Sequence, residues 1–167
     1  MTEHPALPQH FVVRRWPDPV SERVGFPVNS PYTEAILLPI LGPATTLCLR
    51  RVGMLAGAHP NGIGIDTGQL ARDLGLGDSL ARNAAMSRTL MRLCQFGMAR
   101  WVNGELAARV KVAPLDDRHL QRLSPQLVEL HRRMVRRHLM QERSRVLSSS
   151  VTAAPVVERS AGLEVPL

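Results

Sequence analysis

Aromatic residues are scarce in this chain. Phe, Trp and Tyr make up 4% of its 167 residues, so Leu, Val, Ile, Met and Ala must fill its core. Cysteine is almost absent, with only Cys48 and Cys94. Both fall in apolar helical patterns, which reads as two buried thiols rather than a disulfide and suits a reducing cytoplasm. No run of about 18 apolar residues occurs, so no membrane span is expected. The N-terminus is polar and Pro-rich without an apolar stretch, so no secretory signal is expected. Catalytic and metal signatures are missing too. The histidines at 4, 10, 59, 119, 131 and 138 form no His-x-x-x-His pair, and there is no Cys-x-x-Cys, which argues against zinc. "GIGIDTG" lacks the lysine and flanks of a phosphate-cradling loop. Asp116-Asp117 reads as a pair of helix-starting acids. The expectation is a non-enzyme without metal or cofactor.

What is present is positive charge. The formal net charge is +7, and Lys111 is the one lysine among 21 basic residues. Residues 1–29 are neutral overall, with three arginines and three acids. Residues 30–115 carry nine basic and five acidic residues, and residues 116–147 carry eight and four. Arginine contacts phosphate and guanine bidentately. GC-rich coding also favours arginine everywhere, so its placement matters more than its abundance.

Residues 1–29 hold five prolines without a clear period and read as a flexible Pro-rich arm, with local packing through Phe11, Trp16 and Phe26. Ser30 and Pro31 suit a helix start, and Pro39 kinks or shortens the helix expected over 32–41. A helix from Pro43 to Ala58 follows, with Leu47, Leu49, Val52, Met54 and Leu55 as its apolar side. Ile63 and Ile65 suit a very short strand. "TGQLARDLGLG" is the next helix, with Thr67 as its cap and Leu70, Ala71 and Leu74 inward. Met86, Leu90, Leu93 and Cys94 then share one helical face. Gly97 stops that helix, and Asn103-Gly104 marks a two-residue hairpin turn. The turn pairs Val102 with Glu105 and Trp101 with Leu106. That alternation puts Trp101, Leu106, Ala108, Val110 and Val112 inside and Arg100, Arg109 and Lys111 outside. A short helical turn follows Pro114, and a long helix runs from Ser124-Pro125 to about Leu147. Residues 148–167 read as a disordered tail.

The fold class expected is mainly α with a small β-hairpin (α+β). "LARDLGL" followed by "MSRTLMRLCQFGMARW" resembles the winged helix-turn-helix superfamily of bacterial regulators. "LPILGPATTLCLRR" is similar to segments of actinobacterial winged-helix proteins and, more remotely, to the N-terminal domain of DnaD-like replication-initiation proteins. The resemblance covers residues 30–140. It implies a winged helix over 30–115, a C-terminal helical extension over 116–147, and a DNA-binding protein, most simply a transcriptional regulator. The helix around 79–96 would enter the major groove, with the 98–112 hairpin as wing. The same fold also serves non-enzymatic replication or phage and plasmid accessory proteins, and interaction modules that bind no DNA. The eleven positions from Gly75 to Met86 exceed those of a compact helix-turn-helix. "GDSLARNAA" is therefore a longer connection, or a helical extension capped by Asp78 or Ser79, with Asn83 as another cap.

The partner expected is double-stranded DNA, in the cytoplasm and nucleoid-associated. Arg82, Asn83, Ser87 and Arg88 are the candidates for groove contact, and Arg92 for phosphate. Arg100, Arg109 and Lys111 are wing contacts to the backbone. Each of these is also consistent with an ordinary solvated face. Leu120, Leu123, Leu127, Leu130 and Met134 form either a homodimer seam or the inner face of a helix packed on its own domain. Arg132, Arg133, Arg136 and Arg137 fall on one broad side of that helix as a second phosphate patch. His131 and His138 read as surface or seam residues.

Overall fold

A computed structural model of the chain describes residues 7–81 and 83–152, and for residues 149–152 the backbone only. It is an α+β fold in which one mixed four-stranded sheet is covered by helices. The chain opens with strand β1 (His10–Arg15), helix α1 (Pro19–Val24) and the short strand β2 (Phe26–Pro27). A π-helical turn, Thr33–Leu37, runs into α2 (Leu38–Leu41), and α3 spans Pro43–Ala58. Strand β3 (Ile63–Asp66), α4 (Thr67–Asp73) and α5 (Ala85–Gln95) follow. The hairpin β4 (Ala99–Val102) and β5 (Glu105–Ala108) leads to β6 (Lys111–Val112), α6 (Asp117–Leu120) and α7 (Pro125–Thr152).

Residues 7–29 are not the flexible arm that their prolines suggest; residues 1–6 lie outside the described residues. The sheet order is β3-β1-β5-β4, so β1 occupies its interior. It runs antiparallel to β3, with Phe11 opposite Ile65, and parallel to β5, with Val13 opposite Leu106. The reason is the alternation in "HFVVRR": Phe11 and Val13 are buried, and their neighbours face outward. Prolines flank this strand without interrupting it. Pro19 instead occupies the first turn of α1, where its missing N–H costs nothing, and Asp18 caps that helix through the amide of Val20.

Pro39 produces the kink expected of it. It cannot donate to the carbonyl four residues back, and the preceding turn widens to π geometry before α2 resumes. Helix α3 has the expected bounds but a different inner face. Leu47 and Met54 are exposed, while Thr45, Cys48, Leu49, Val52, Gly53 and Ala56 are buried. Small residues turn inward because the helix lies close to the sheet-side backbone. A side chain at Gly53 would meet the carbonyl oxygen of Arg109 at 2.7 Å.

Asp66, not Thr67, caps α4, accepting from the amide of Gln69 at 2.6 Å. Thr67 is buried and donates its hydroxyl to the carbonyl of Pro8 at 2.5 Å, joining α4 to the N-terminal segment. Met86, Leu90 and Leu93 are fully buried. The hairpin has the expected register, Trp101 opposite Leu106 and Val102 opposite Glu105, with Asn103 and Gly104 both at positive φ. Trp101, however, lies at the sheet margin, 38% exposed, with its ring edge-on to Phe11 at 5.3 Å.

Helix α7 packs on its own domain. Its Leu130, Met134 and Val135, with Leu123 just before it, sit against the core, so much of the suggested homodimer seam is spent within the chain. The helix continues to Thr152, past the Leu147 end expected from sequence, and residues 153–167 of the suggested tail lie outside the described residues. His131 is not a surface residue. It is 6% exposed, and its Nδ1 lies 2.9 Å from the hydroxyl of fully buried Tyr32. That hydroxyl accepts the amide of Leu115 at 2.9 Å, and its own hydrogen is donated to His131 in the tautomer that carries the ring hydrogen on Nε2. The Tyr32 ring stacks on Phe26 at 3.8 Å, and His138 stacks on Phe26 from α7.

Two outcomes follow from this packing. Removing residues 1–15 should abolish cooperative thermal unfolding monitored by circular dichroism, whereas loss of a loose arm would leave Tm unchanged. The second concerns pH. Burial, and then the neighbouring Arg132 charge, hold the His131 pKa below its usual 6.5, while burial pushes Tyr32 up to about 12. The unfolded chain therefore binds a proton at His131 more readily than the folded one. Stability is full above about pH 6.5 and falls as pH drops below it. Lowering the pH from 7.5 to 5.5 should reduce Tm more in the native protein than in His131→Gln, whose carbonyl can still accept from Tyr32.

Candidate nucleic-acid interface

The eight residues suggested as DNA contacts are placed very unevenly. Helix α5 begins at Ala85, six residues after the 79 start expected from sequence, because "GDSLARNAA" forms a connection rather than a helical extension. None of Asp78, Ser79 or Asn83 caps it; Ala84 holds the cap position without a side-chain hydrogen bond. Arg82 lies outside the described residues. Asn83 is exposed in the connection, and its carbonyl accepts from Arg88 Nη1 at 2.6 Å. Arg88 is exposed on the first turns of α5.

Ser87 does not face outward. It is 8% exposed, and its hydroxyl donates to the carbonyl of Ala81 at 2.8 Å, tying the connection to the helix. Arg92 is half-buried and does structural work. Its Nε and Nη2 donate to the carbonyls of Leu41 and Ile40 at 2.7 and 2.8 Å, satisfying the end of α2 that Gly42, at positive φ, leaves open.

The hairpin candidates divide the same way. Arg100 is exposed on the outer face of β4, with its guanidinium 4.3 Å from the centre of the Trp16 ring. Arg109 also lies 4.3 Å from that ring, but it points into the fold. Its guanidinium pairs with Asp18, and it donates to Ser21 Oγ at 2.8 Å and to the Gly97 carbonyl at 2.6 Å. Burial lowers its pKa from the usual value, but an arginine stays charged. Lys111 donates to the carbonyl of Glu22 at 2.9 Å. Alternation assigned Arg109 and Lys111 to the open side, but α1 covers that part of the hairpin.

Four further candidates for phosphate contact lie on α7. Arg132, Arg133, Arg136 and Arg137 are all exposed, and none has an acidic partner within 4 Å among the described residues. Arg14, Arg15, Arg50 and Arg51, by contrast, are paired with Glu105, Glu22, Glu34 and Asp73. Both cysteines are free. Burial pushes the Cys48 thiol up to about 12 and raises that of Cys94, so neither is a ready nucleophile. No group of three or more potential metal ligands occurs among the described residues. No helix among them is long and apolar enough to cross a membrane.

Sequence reasoning missed two separate structural contacts, the Asp18–Arg109 pair and the Tyr32–His131 hydrogen bond. The seven-residue spacing of His131 and His138 was the available signal, since it puts both on one face of α7. No family model matches the chain, and no curated protein or solved structure shows significant similarity to it.

The two classes of arginine should separate in unfolding experiments. Arg109→Ala removes the cation paired with Asp18 and the side-chain donor to the Gly97 carbonyl, and should cost about 2 kcal/mol. Arg88→Ala, on the open face, should stay within about 0.5 kcal/mol. Equal losses in urea denaturation would refute the distinction.

Proposed function

We propose that this protein binds double-stranded DNA as a winged-helix protein, most simply as a transcriptional regulator. The observation that carries the reading is the placement of free positive charge. Arg88 on α5, Arg100 on the hairpin, and Arg132, Arg133, Arg136 and Arg137 on α7 are exposed without acidic partners among the described residues. The order α3, β3, α4, α5, β4, β5 is compatible with a helix-turn-helix followed by a wing. In this reading Arg88, with Asn83 beside it, reaches the major groove. Arg100 and the α7 arginines hold phosphates. A replication or accessory role would use the same contacts.

A second reading is favoured by the loss of four of the eight predicted contacts. Ser87, Arg92, Arg109 and Lys111 all bond within the protein. A fold that spends its basic side chains internally is also suited to bind another protein, and salt dependence separates the two.

DNA binding through these five phosphate contacts should weaken on the order of 500-fold between 50 and 200 mM salt. Arg136→Ala and Arg137→Ala should each reduce the salt slope by about 1 without changing sequence preference, whereas Arg88→Ala should relax preference. Absence of duplex binding at low salt, measured by fluorescence anisotropy, would sink the DNA reading and leave the interaction module.

A further inference from the structure

Two helices begin beside one another without caps. Gly42 and Ala84 hold the cap positions of α3 and α5, and neither helix has a side-chain cap. Pro43 contributes no N–H, which leaves the amides of Ala44 and Thr45 open on α3, and that of Ala85 open on α5. These three residues line one cleft of about 210 Å³, which Arg88, Thr89 and Arg92 also line. No acidic residue lines it.

Two threonines supply an independent indication of a ligand. Thr45 is 3% exposed and Thr89 is 5% exposed. Neither hydroxyl has a hydrogen-bond partner, in contrast to Thr46, which donates to the Gly42 carbonyl at 2.9 Å. Neither hydroxyl is sealed from solvent in the way that the orphan Ser30 hydroxyl is, and both residues line the cleft. Buried hydroxyls are ordinarily satisfied.

We propose that this cleft binds a phosphate group. The four polar side chains on its wall, Thr45, Arg88, Thr89 and Arg92, can all donate, beside the apolar Ala44, Leu76 and Ala85. Open amides at helix starts and the positive ends of two helix dipoles favour an anion. The guanidiniums add charge-assisted donors. Arg88 has one nitrogen on the Asn83 carbonyl, and Arg92 has Nε and Nη2 on α2, which leaves donors on both for a ligand. The hydroxyls of Thr45 and Thr89 complete a set suited to several phosphate oxygens. The inference is independent of the DNA reading, because inorganic phosphate alone tests it.

The test follows the amide resonances of Ala44, Thr45 and Ala85 by NMR in the full chain. Sodium phosphate should shift them saturably at near-neutral pH, and sodium chloride at matched ionic strength should not. Arg88→Ala should weaken phosphate binding about tenfold, as expected for one charge-assisted hydrogen bond. Thr89→Val should weaken it several-fold without altering the core volume, and Arg136→Ala should leave it unchanged. No saturable shift, or equal affinity in native protein and Arg88→Ala, overturns the proposal. Displacement of phosphate by a short duplex would assign the group to a nucleic-acid backbone. Displacement by glycerol phosphate but not by the duplex would assign it to a free phosphorylated small molecule.

Discussion

The hydrogen bonding of residues 10–15 is the constraint on which the rest of the structure depends. Strand β1 pairs with β3 on one side and β5 on the other. Removing it would leave β3 and the hairpin without a shared sheet. Phe11 and Val13 also supply core surface that the helices cannot replace. The residues that follow it carry two side chains that fix the hairpin laterally. Trp16 lies against Arg100 and Arg109, and Asp18 pairs with Arg109. The N-terminal segment is therefore a framework element, and the hairpin's orientation is inherited from it.

Arginine does two jobs in this chain, and they are separated by what each side chain meets. A guanidinium is planar with five donors, and so it can close open backbone carbonyls as well as bind anions. Arg92 closes the end of α2 and Arg109 closes the turn after α5 through Gly97. These positions compensate for Gly42 and Gly97, whose positive φ ends the regular helical pairing. A positive residue facing a broken helix end is spent on the fold. One facing open solvent with no acid nearby remains available, as on α7.

Local patterning made much of the fold legible. The bounds of α3, the kink at Pro39, the buried Met86, Leu90 and Leu93 and the hairpin register all follow from neighbours within a few positions. The interior position of β1 did not. It depends on partners about fifty and ninety residues away in sequence, which a strand's own letters cannot specify. The proline density around it also resembles that of a loose arm. The inward face of α3 was misjudged for a related reason. Leu47 and Met54 are more apolar than Gly53 or Ala56, but close backbone approach selects small residues there. The candidate site suffered most. Alternation along β4 to β6 correctly separates two faces, but it cannot reveal that α1 covers one of them and captures Arg109 and Lys111.

Helix α7 shows how the internal contacts govern the outer surface. Tyr32 anchors His131 through its hydroxyl, and Phe26 receives the ring of His138. These two points lie seven residues apart on the helix and set its rotation about its own axis. With that rotation set, Leu130, Met134 and Val135 must turn toward the core. Arg132, Arg133, Arg136 and Arg137 must then turn to solvent, since a helical side chain 100° or more from the buried stripe has nowhere else to go. The basic face is thus a geometric consequence of a neutral, buried contact. Protonating His131 would strain that contact before it altered any exposed charge, so the orientation of the arginine face and the stability of the fold rest on the same hydrogen bond.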